Sequence, residues 1–145
     1  LGGESVQNQT TVDNTEQKVA EQQSKVFVSA DTLMNNGYYD KAVELMVKTA
    51  DDSKDNAHKA AVYVQLANMV HNQKKYDDAM KYAKKAEELR ADYYTAQTIG
   101  LVALSKGDKT MAREHLQKAI DRLPDVSRGT LTEKSIQKLL QEAKQ

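Results

Sequence analysis

The sequence predicts an all-α fold: helix pairs joined by tight turns and stacked in series, closed by one helix at the C-terminal end. Two observations lead there. A short pattern returns three times along the 145 residues, and the stretches around it carry apolar residues at helical spacing. Composition agrees. One Pro and six Gly leave few breakers, and Ala, Lys, Glu, Gln and Leu, all good helix formers, are plentiful. A hydrophobic share of 39% with one Phe and no Trp is lean for a globule. It suits an elongated array, which exposes more surface per residue.

The recurring pattern is a turn-prone residue followed five positions later by Ala. It appears as Gly37-Tyr38-Tyr39-Asp40-Lys41-Ala42, as Lys74-Lys75-Tyr76-Asp77-Asp78-Ala79, and as Gly107-Asp108-Lys109-Thr110-Met111-Ala112. The Ala-to-Ala intervals are 37 and 33 residues. Around the second copy, Tyr63, Leu66, Ala67 and Val70 fall on one helical stripe. Tyr76, Ala79, Met80, Ala83, Ala86 and Leu89 fall on another. Asp92 and Asp108 read as N-caps of the helices after them. The polar run Asp51–Asn56 reads as a loop holding an insertion of about three residues, judged from the longer first interval.

This constellation resembles the tetratricopeptide repeat, a helix–turn–helix unit with a period of about 34 residues. The small residue of the family's first helix falls on Ala30, Ala67 and Gly100, and the Ala of its second helix on Ala42, Ala79 and Ala112. The next small position falls on Thr49, Ala86 and Ala119, and the closing Pro appears once, as Pro124. Three positions depart from the pattern: Ser29, where the other units have the large residues Leu66 and Ile99; Thr49, at a small-residue position; and Lys109, where the other units have the aromatics Tyr39 and Tyr76. Small residues belong where helices cross, because axes about 8–10 Å apart leave no room for large side chains. The resemblance implies antiparallel helix pairs winding into a right-handed superhelix: three repeats over about 23–59, 60–92 and 93–126, plus a capping helix over about 130–144. After Pro124, Thr130-x-x-Glu133 reads as a capping box. Leu131, Ile136, Leu139, Leu140 and Ala143 form the stripe that covers the last groove.

Residues 1–15 are rich in Gln, Asn, Thr and Gly and are expected to be disordered or frayed, with the repeat domain over 16–145. Val12, Val19, Val26 and Leu33 recur every seven residues. That spacing fits a stripe packing on the helix's own partner, or a dimer seam. A monomer or weak homodimer is expected.

Composition and motifs exclude several functions. Charge is balanced, 21 basic against 21 acidic residues, without the basic excess of a nucleic-acid binder. The zero Cys count removes disulfides, thiolate metal sites and a Cys nucleophile. No apolar run reaches the length of a membrane span. His58, His71 and His115 show no metal spacing, the glycines form no phosphate loop, and no Ser-centred nucleophile motif is present. The chain is read as non-enzymatic, without cofactor or metal. A Cys-free composition and a Gln/Thr/Asn-rich start beginning at Leu1 without Met suggest a bacterial protein of the cell envelope or periplasm, with the cytoplasm as the alternative.

The resemblance further implies that the first helix of each pair lines a concave face where a peptide or protein partner binds. That face maps to Ser24, Phe27, Asp31, Met34 and Asn35, then Ala61, Val64, Asn68, His71 and Asn72, then Tyr94, Gln97, Leu101, Leu104 and Ser105. Of these, Phe27, Asp31, Met34, Val64, Asn68, His71, Asn72, Tyr94, Gln97 and Leu101 are the candidate binding residues. None is Lys or Arg, so the basic clamp by which some family members hold a peptide C-terminus is missing. Apolar anchors between amides suit an extended or helical segment. Val64, Leu101 and Leu104 fit packing between adjacent pairs equally well. The expected role is an adaptor or scaffold, with self-assembly through the N-terminal heptad and terminal helix as the alternative.

Overall fold

The structure, a computed structural model, describes the backbone of residues 2–145 and the side chains of residues 14–145. Among the described residues there are seven α-helices and no strand: α1 (Gly2–Asn35), α2 (Tyr39–Asp51), α3 (Asn56–Asn72), α4 (Tyr76–Leu89), α5 (Tyr93–Lys106), α6 (Lys109–Asp121) and α7 (Leu131–Lys144), with a single 3-10 turn at Asp125–Ser127. They fall into two compact units, Leu1–Thr49 and Ala50–Gln145, the division lying in the last turn of α2. The expected frayed segment over 1–15 falls mainly on residues 1–13, whose side chains lie outside those described; α1 is bounded at Gly2.

One backbone figure explains the repeating pattern. Gly37, Lys74 and Gly107 all stand in the left-handed region, at φ 89, 62 and 83°. Each ends the first helix of a pair, and the hydrogen bonds match. The N–H of the left-handed residue donates to a carbonyl three residues back: Gly37 to Met34 at 3.1 Å, Lys74 to His71 at 2.9 Å, Gly107 to Leu104 at 3.1 Å. The following N–H donates to a carbonyl five back: Tyr38 to Leu33 at 2.8 Å, Lys75 to Val70 at 3.2 Å, Asp108 to Ala103 at 2.9 Å. This is the Schellman closure, which satisfies carbonyls that a helix end leaves without partners. It turns the chain so that a second helix starts within one to three residues.

In the first unit, Ala30, Met34, Ala42 and Met46 are buried. Thr49, a departure from the small-residue pattern, returns its hydroxyl to the Leu45 carbonyl at 2.7 Å, so its polar atom is satisfied inside the helix. Of the seven-residue run, Val12 lies outside the described side chains. Val19 is exposed, and Val26 and Leu33 are half-buried.

The second unit holds two full pairs and α7. α3 packs on α4, α5 on α6, α4 on α5, and α7 on α6 and α5. Ala67, Ala79, Ala86, Ala112 and Ala119 are all fully buried where helices meet. Gly100 shows why the position is small: a Cβ there would stand 2.6 Å from the Leu116 Cγ. Leu66, Ile99, Leu116 and Ile136 fill the centre, each contributing about 1.5–3 kcal/mol by leaving water. Asp55, Asp92 and Asp108 cap α3, α5 and α6 through the N–H groups of His58, Thr95 and Met111.

Two details of α7 differ from the sequence reading. Thr130 makes no side-chain cap; its hydroxyl donates to the Ser127 carbonyl at 2.6 Å, and Glu133 Oε2 accepts from the Gly129 N–H at 3.0 Å. The Thr130 hydroxyl is turned back to the 3-10 turn and its oxygen accepts no N–H of the first turn of α7, while Glu133 accepts from Gly129 in place of Thr130, so the reciprocal box does not close. Leu131 is 80% exposed and leaves the apolar stripe, while Ile136, Leu140 and Ala143 are buried. Arg113 of α6 donates to the Ala143 carbonyl at 3.0 Å, placing positive charge at the negative end of α7.

His115 on α6 has a buried Nδ1 without a hydrogen-bond partner among the described residues. Burial pushes its pKa below the usual imidazole value. Lys118 and Arg122 push the same way, and Glu114 and Glu87 oppose them.

Two predictions follow from these observations. Lys74 is an L-residue where the other turns use Gly, and the left-handed region costs such a residue about 1–2 kcal/mol. Lys74→Gly is therefore expected to stabilise the protein by about 0.5–1 kcal/mol after the larger chain entropy of Gly is subtracted, measured as a shift of the urea midpoint. Gly107→Ala should shift it the opposite way; a destabilised Lys74→Gly chain would contradict the assignment. The second concerns acid. The folded pKa of His115 lies below its unfolded value, so the unfolded chain takes up protons first as pH falls. Its contribution is fully present above about pH 6.5 and declines below it. The lowered Asp55 and Asp77 carboxyls lose theirs only below their ordinary value of 3.8. Unfolding midpoints are expected to drop as pH falls from about 6.5 to 5, and His115→Leu should flatten that slope. An unchanged slope in His115→Leu would assign the acid sensitivity elsewhere.

Candidate functional site

In the second unit α3 and α5 lie side by side, the first helices of two consecutive pairs. Between them, near their N-terminal halves, is a hollow of about 290 Å³. Ala57, Ala60, Ala61 and Val64 of α3 form its floor. Tyr94 and Thr95 of α5 and Gln65 of α3 form its walls, and Arg90 and Asp92 come from the link between α4 and α5. The helical repeat of α3 creates the floor: residues 57, 60, 61 and 64 follow the one-face spacing of an α-helix, and three of the four are Ala.

A set of polar contacts fixes the rim. Asp92 caps α5 by accepting from the Thr95 N–H at 2.9 Å, and its own N–H donates to Thr95 Oγ1 at 3.1 Å. The Thr95 hydroxyl, 1% exposed with its residue, also bonds Glu87 Oε2 of α4. Arg122, at the end of α6, donates to Glu87 Oε1 at 2.8 Å and to the Asp92 carbonyl at 3.1 Å. One carboxylate thus ties α4 to the start of α5 and the end of α6. Charge-assisted bonds in so sheltered a place are worth about 1.5–3 kcal/mol each. They hold the α4–α5 link, and with it the side of the hollow.

Three groups at the hollow remain uncommitted. Among the described residues, the Gln65 amide and the Tyr94 hydroxyl have no hydrogen-bond partner. Arg90 has only Asp92, at 3.7 Å from Nε, with 58% of its side chain exposed. Tyr94 is 44% exposed and stands edge-on to Tyr93, ring centres 5.8 Å apart.

Of the residues expected on the binding face, Val64 and Tyr94 meet at this hollow, joined by Ala61. Val64 is only 3% exposed, so it supports the floor more than it offers area. Asn68, Gln97 and Leu101 are half-buried further along the same two helices, and Asn72 is exposed at the end of α3. His71 is already engaged: its Nε2 lies 2.7 Å from Ser105 Oγ, and its ring packs 5.3 Å from that of Tyr76. Phe27, Asp31 and Met34 stand on α1 in the first unit. Phe27 is half-buried, Met34 is buried, and Asp31 accepts from the Asn35 amide at 3.3 Å. A hollow of about 480 Å³ in that unit is lined by other residues, Lys18, Glu21, Gln22, Lys25, Val26, Ser29 and Leu45. Gln65 and Arg90 also line this hollow, though neither is among the expected face residues: Gln65 lies beside the face positions of α3, and Arg90 reaches the rim from a link two residues before the cap Asp92. That Arg-x-Asp spacing was the available signal.

A larger hollow, about 570 Å³, lies at the α3–α4 turn between Lys74, Asp78 and Lys106. Its Lys106–Asp77 pair spans 2.8 Å in open solvent. Its lining is mostly charged side chains, with Tyr76 and Ser105 between them, and it is the weaker candidate for an apolar anchor.

Serial helix pairs, each closed by the same left-handed turn and with small residues at every crossing, define a helical-repeat protein. The family is shown directly: the profile of the tetratricopeptide repeat-like domain matches residues 4–141, and the chain belongs to that family. A domain of this kind is in general a protein-interaction module. No curated protein matches the sequence. Among the described residues no helix is long and apolar enough to cross a membrane.

Proposed function

We propose that the chain is a non-enzymatic protein–protein interaction module, an adaptor or scaffold that holds a peptide or protein segment against the exposed face of α3 and α5. The observation that carries this reading is the hollow beside Tyr94. Its floor is built of the hydrocarbon side chains of Ala and Val, and its rim offers an amide, a phenol and a guanidinium held by one long, solvent-exposed ion pair. Recognition sites combine an apolar surface that gains by desolvation with a few convergent polar groups that set orientation. An exposed Tyr beside a shallow pocket is a favoured anchor, because it offers large area at small entropic cost. Asn68 and Gln97, half-buried on the same helices, extend the polar contacts along the groove.

The test is selection of a random peptide library, displayed on phage, against the full chain, followed by affinity measurement of the best peptide. Tyr94→Ala and Ala61→Tyr are expected to weaken it about tenfold or more, the scale of losing one anchor, with the thermal midpoint unchanged. Both positions are exposed, so folding should survive. Equal affinity for wild type and both variants would refute binding at this face.

A further inference from the structure

Resting on that reading, we infer that the hollow selects a segment carrying an aliphatic side chain next to an acidic one, the aliphatic group entering the floor and the carboxylate pairing with Arg90. The floor argues for the first half. Ala57, Ala60, Ala61 and Val64 present only hydrocarbon, and about 290 Å³ accommodates a leucine-sized group with its flanking backbone.

Arg90 argues for the second half. Its guanidinium is held only by the 3.7 Å contact to Asp92 Oδ2, with more than half of the side chain in solvent. An exposed pair that long contributes little, so the planar fork is available for a bidentate contact with an incoming carboxylate. Asp92 does not depend on Arg90. Its Oδ1 accepts the Thr95 N–H at the start of α5, where the helix dipole favours a negative charge, and its carbonyl accepts from Arg122. Arg90 can therefore turn towards a ligand while the cap and the link stay in place.

Charge complementarity points the same way. Ala50–Gln145 carries seventeen basic residues against fourteen acidic ones. The acidic residue at the rim is already committed to the fold, whereas the basic one is not. A cationic segment would be repelled by Arg90, whose one ion pair is long and exposed, and a neutral segment would leave its fork unused. Gln65, its amide without a partner among the described residues, stands on the wall to bond the segment's backbone.

The experiment uses the full chain and the same phage-displayed random peptides, now selected in parallel on wild type and on Arg90→Glu. Wild type is expected to enrich Leu, Ile or Val within two positions of Asp or Glu. A synthetic consensus peptide should lose about 5–20-fold in affinity when that acid becomes Gln or Asn, the range for one charge-assisted contact. Arg90→Glu should enrich Lys or Arg at the same place while keeping the aliphatic position and the thermal midpoint. Wild-type selection without acidic preference, or unchanged charge preference in Arg90→Glu, would overturn the inference. So would a loss on amidating the peptide's C-terminus in place of a loss on the Glu→Gln change, since the carboxylate recognised would then be terminal. If Ala61→Tyr still abolishes binding in those cases, the groove reading stands and only the acidic partner falls. If Ala61→Tyr also has no effect, both fall.

Discussion

Everything in this chain hangs on the left-handed residue that ends the first helix of each pair. Gly37, Lys74 and Gly107 occupy the same backbone region, and the same two hydrogen bonds close over each. The closure satisfies carbonyls that would otherwise be stranded and fixes where the second helix begins. Once that start is fixed, the Ala five residues beyond the turn arrives at the crossing of α3 with α4 and of α5 with α6, where Ala79 and Ala112 are fully buried; Ala42 is fully buried at the matching position of α2. A larger residue would separate the two axes. The turn therefore sets the register that makes the small-residue positions necessary, and those positions let the helices approach closely enough to exclude water.

The second unit adds a polar tie to this apolar scheme. Glu87, Thr95, Asp92 and Arg122 come from four places in the sequence and converge on the α4–α5 link. Apolar packing is tolerant of small slides, and hydrogen bonds of fixed geometry are not. The tie therefore gives the link a defined position, which in turn gives Arg90 and Tyr94 theirs. On the proposed reading, structural polar residues stay inside the network and the groups with spare bonding capacity face the hollow. His71 illustrates the division. It sits on the expected face, yet its bond to Ser105 and its contact with Tyr76 give it a structural task linking α3 to α5.

Sequence alone carried the all-α architecture, since the turn-to-Ala spacing and the helical stripes are direct imprints of the closure and the crossings. Caps such as Asp92 and Asp108 were legible because an Asp before an apolar-periodic stretch has one strong local use. What was not legible depends on three-dimensional neighbours. Thr130 and Glu133 have the letters of a capping box, but the Thr130 hydroxyl turns back to the carbonyl of Ser127 in the 3-10 turn just upstream, and Glu133 accepts from Gly129 instead. Leu131 has the period of the apolar stripe yet stands in solvent at the first position of α7, whereas Ile136, further along the same helix, is fully buried. Of the candidate face, Val64 and Tyr94 come together at one hollow, whereas Arg90 enters from a link that no helical periodicity covers.

On the proposed reading a partner lies over the α3–α5 face, centred on the hollow beside Tyr94. The most direct measurement is the amide spectrum of the isotope-labelled full chain, titrated with the best library-selected peptide. The account predicts that the largest saturable shifts fall on Ala57, Ala61, Gln65, Arg90 and Tyr94, with α7 unmoved. Shifts concentrated at Val126 and Leu131, the most exposed large apolar side chains among the described residues, with the α3–α5 amides silent, would contradict it.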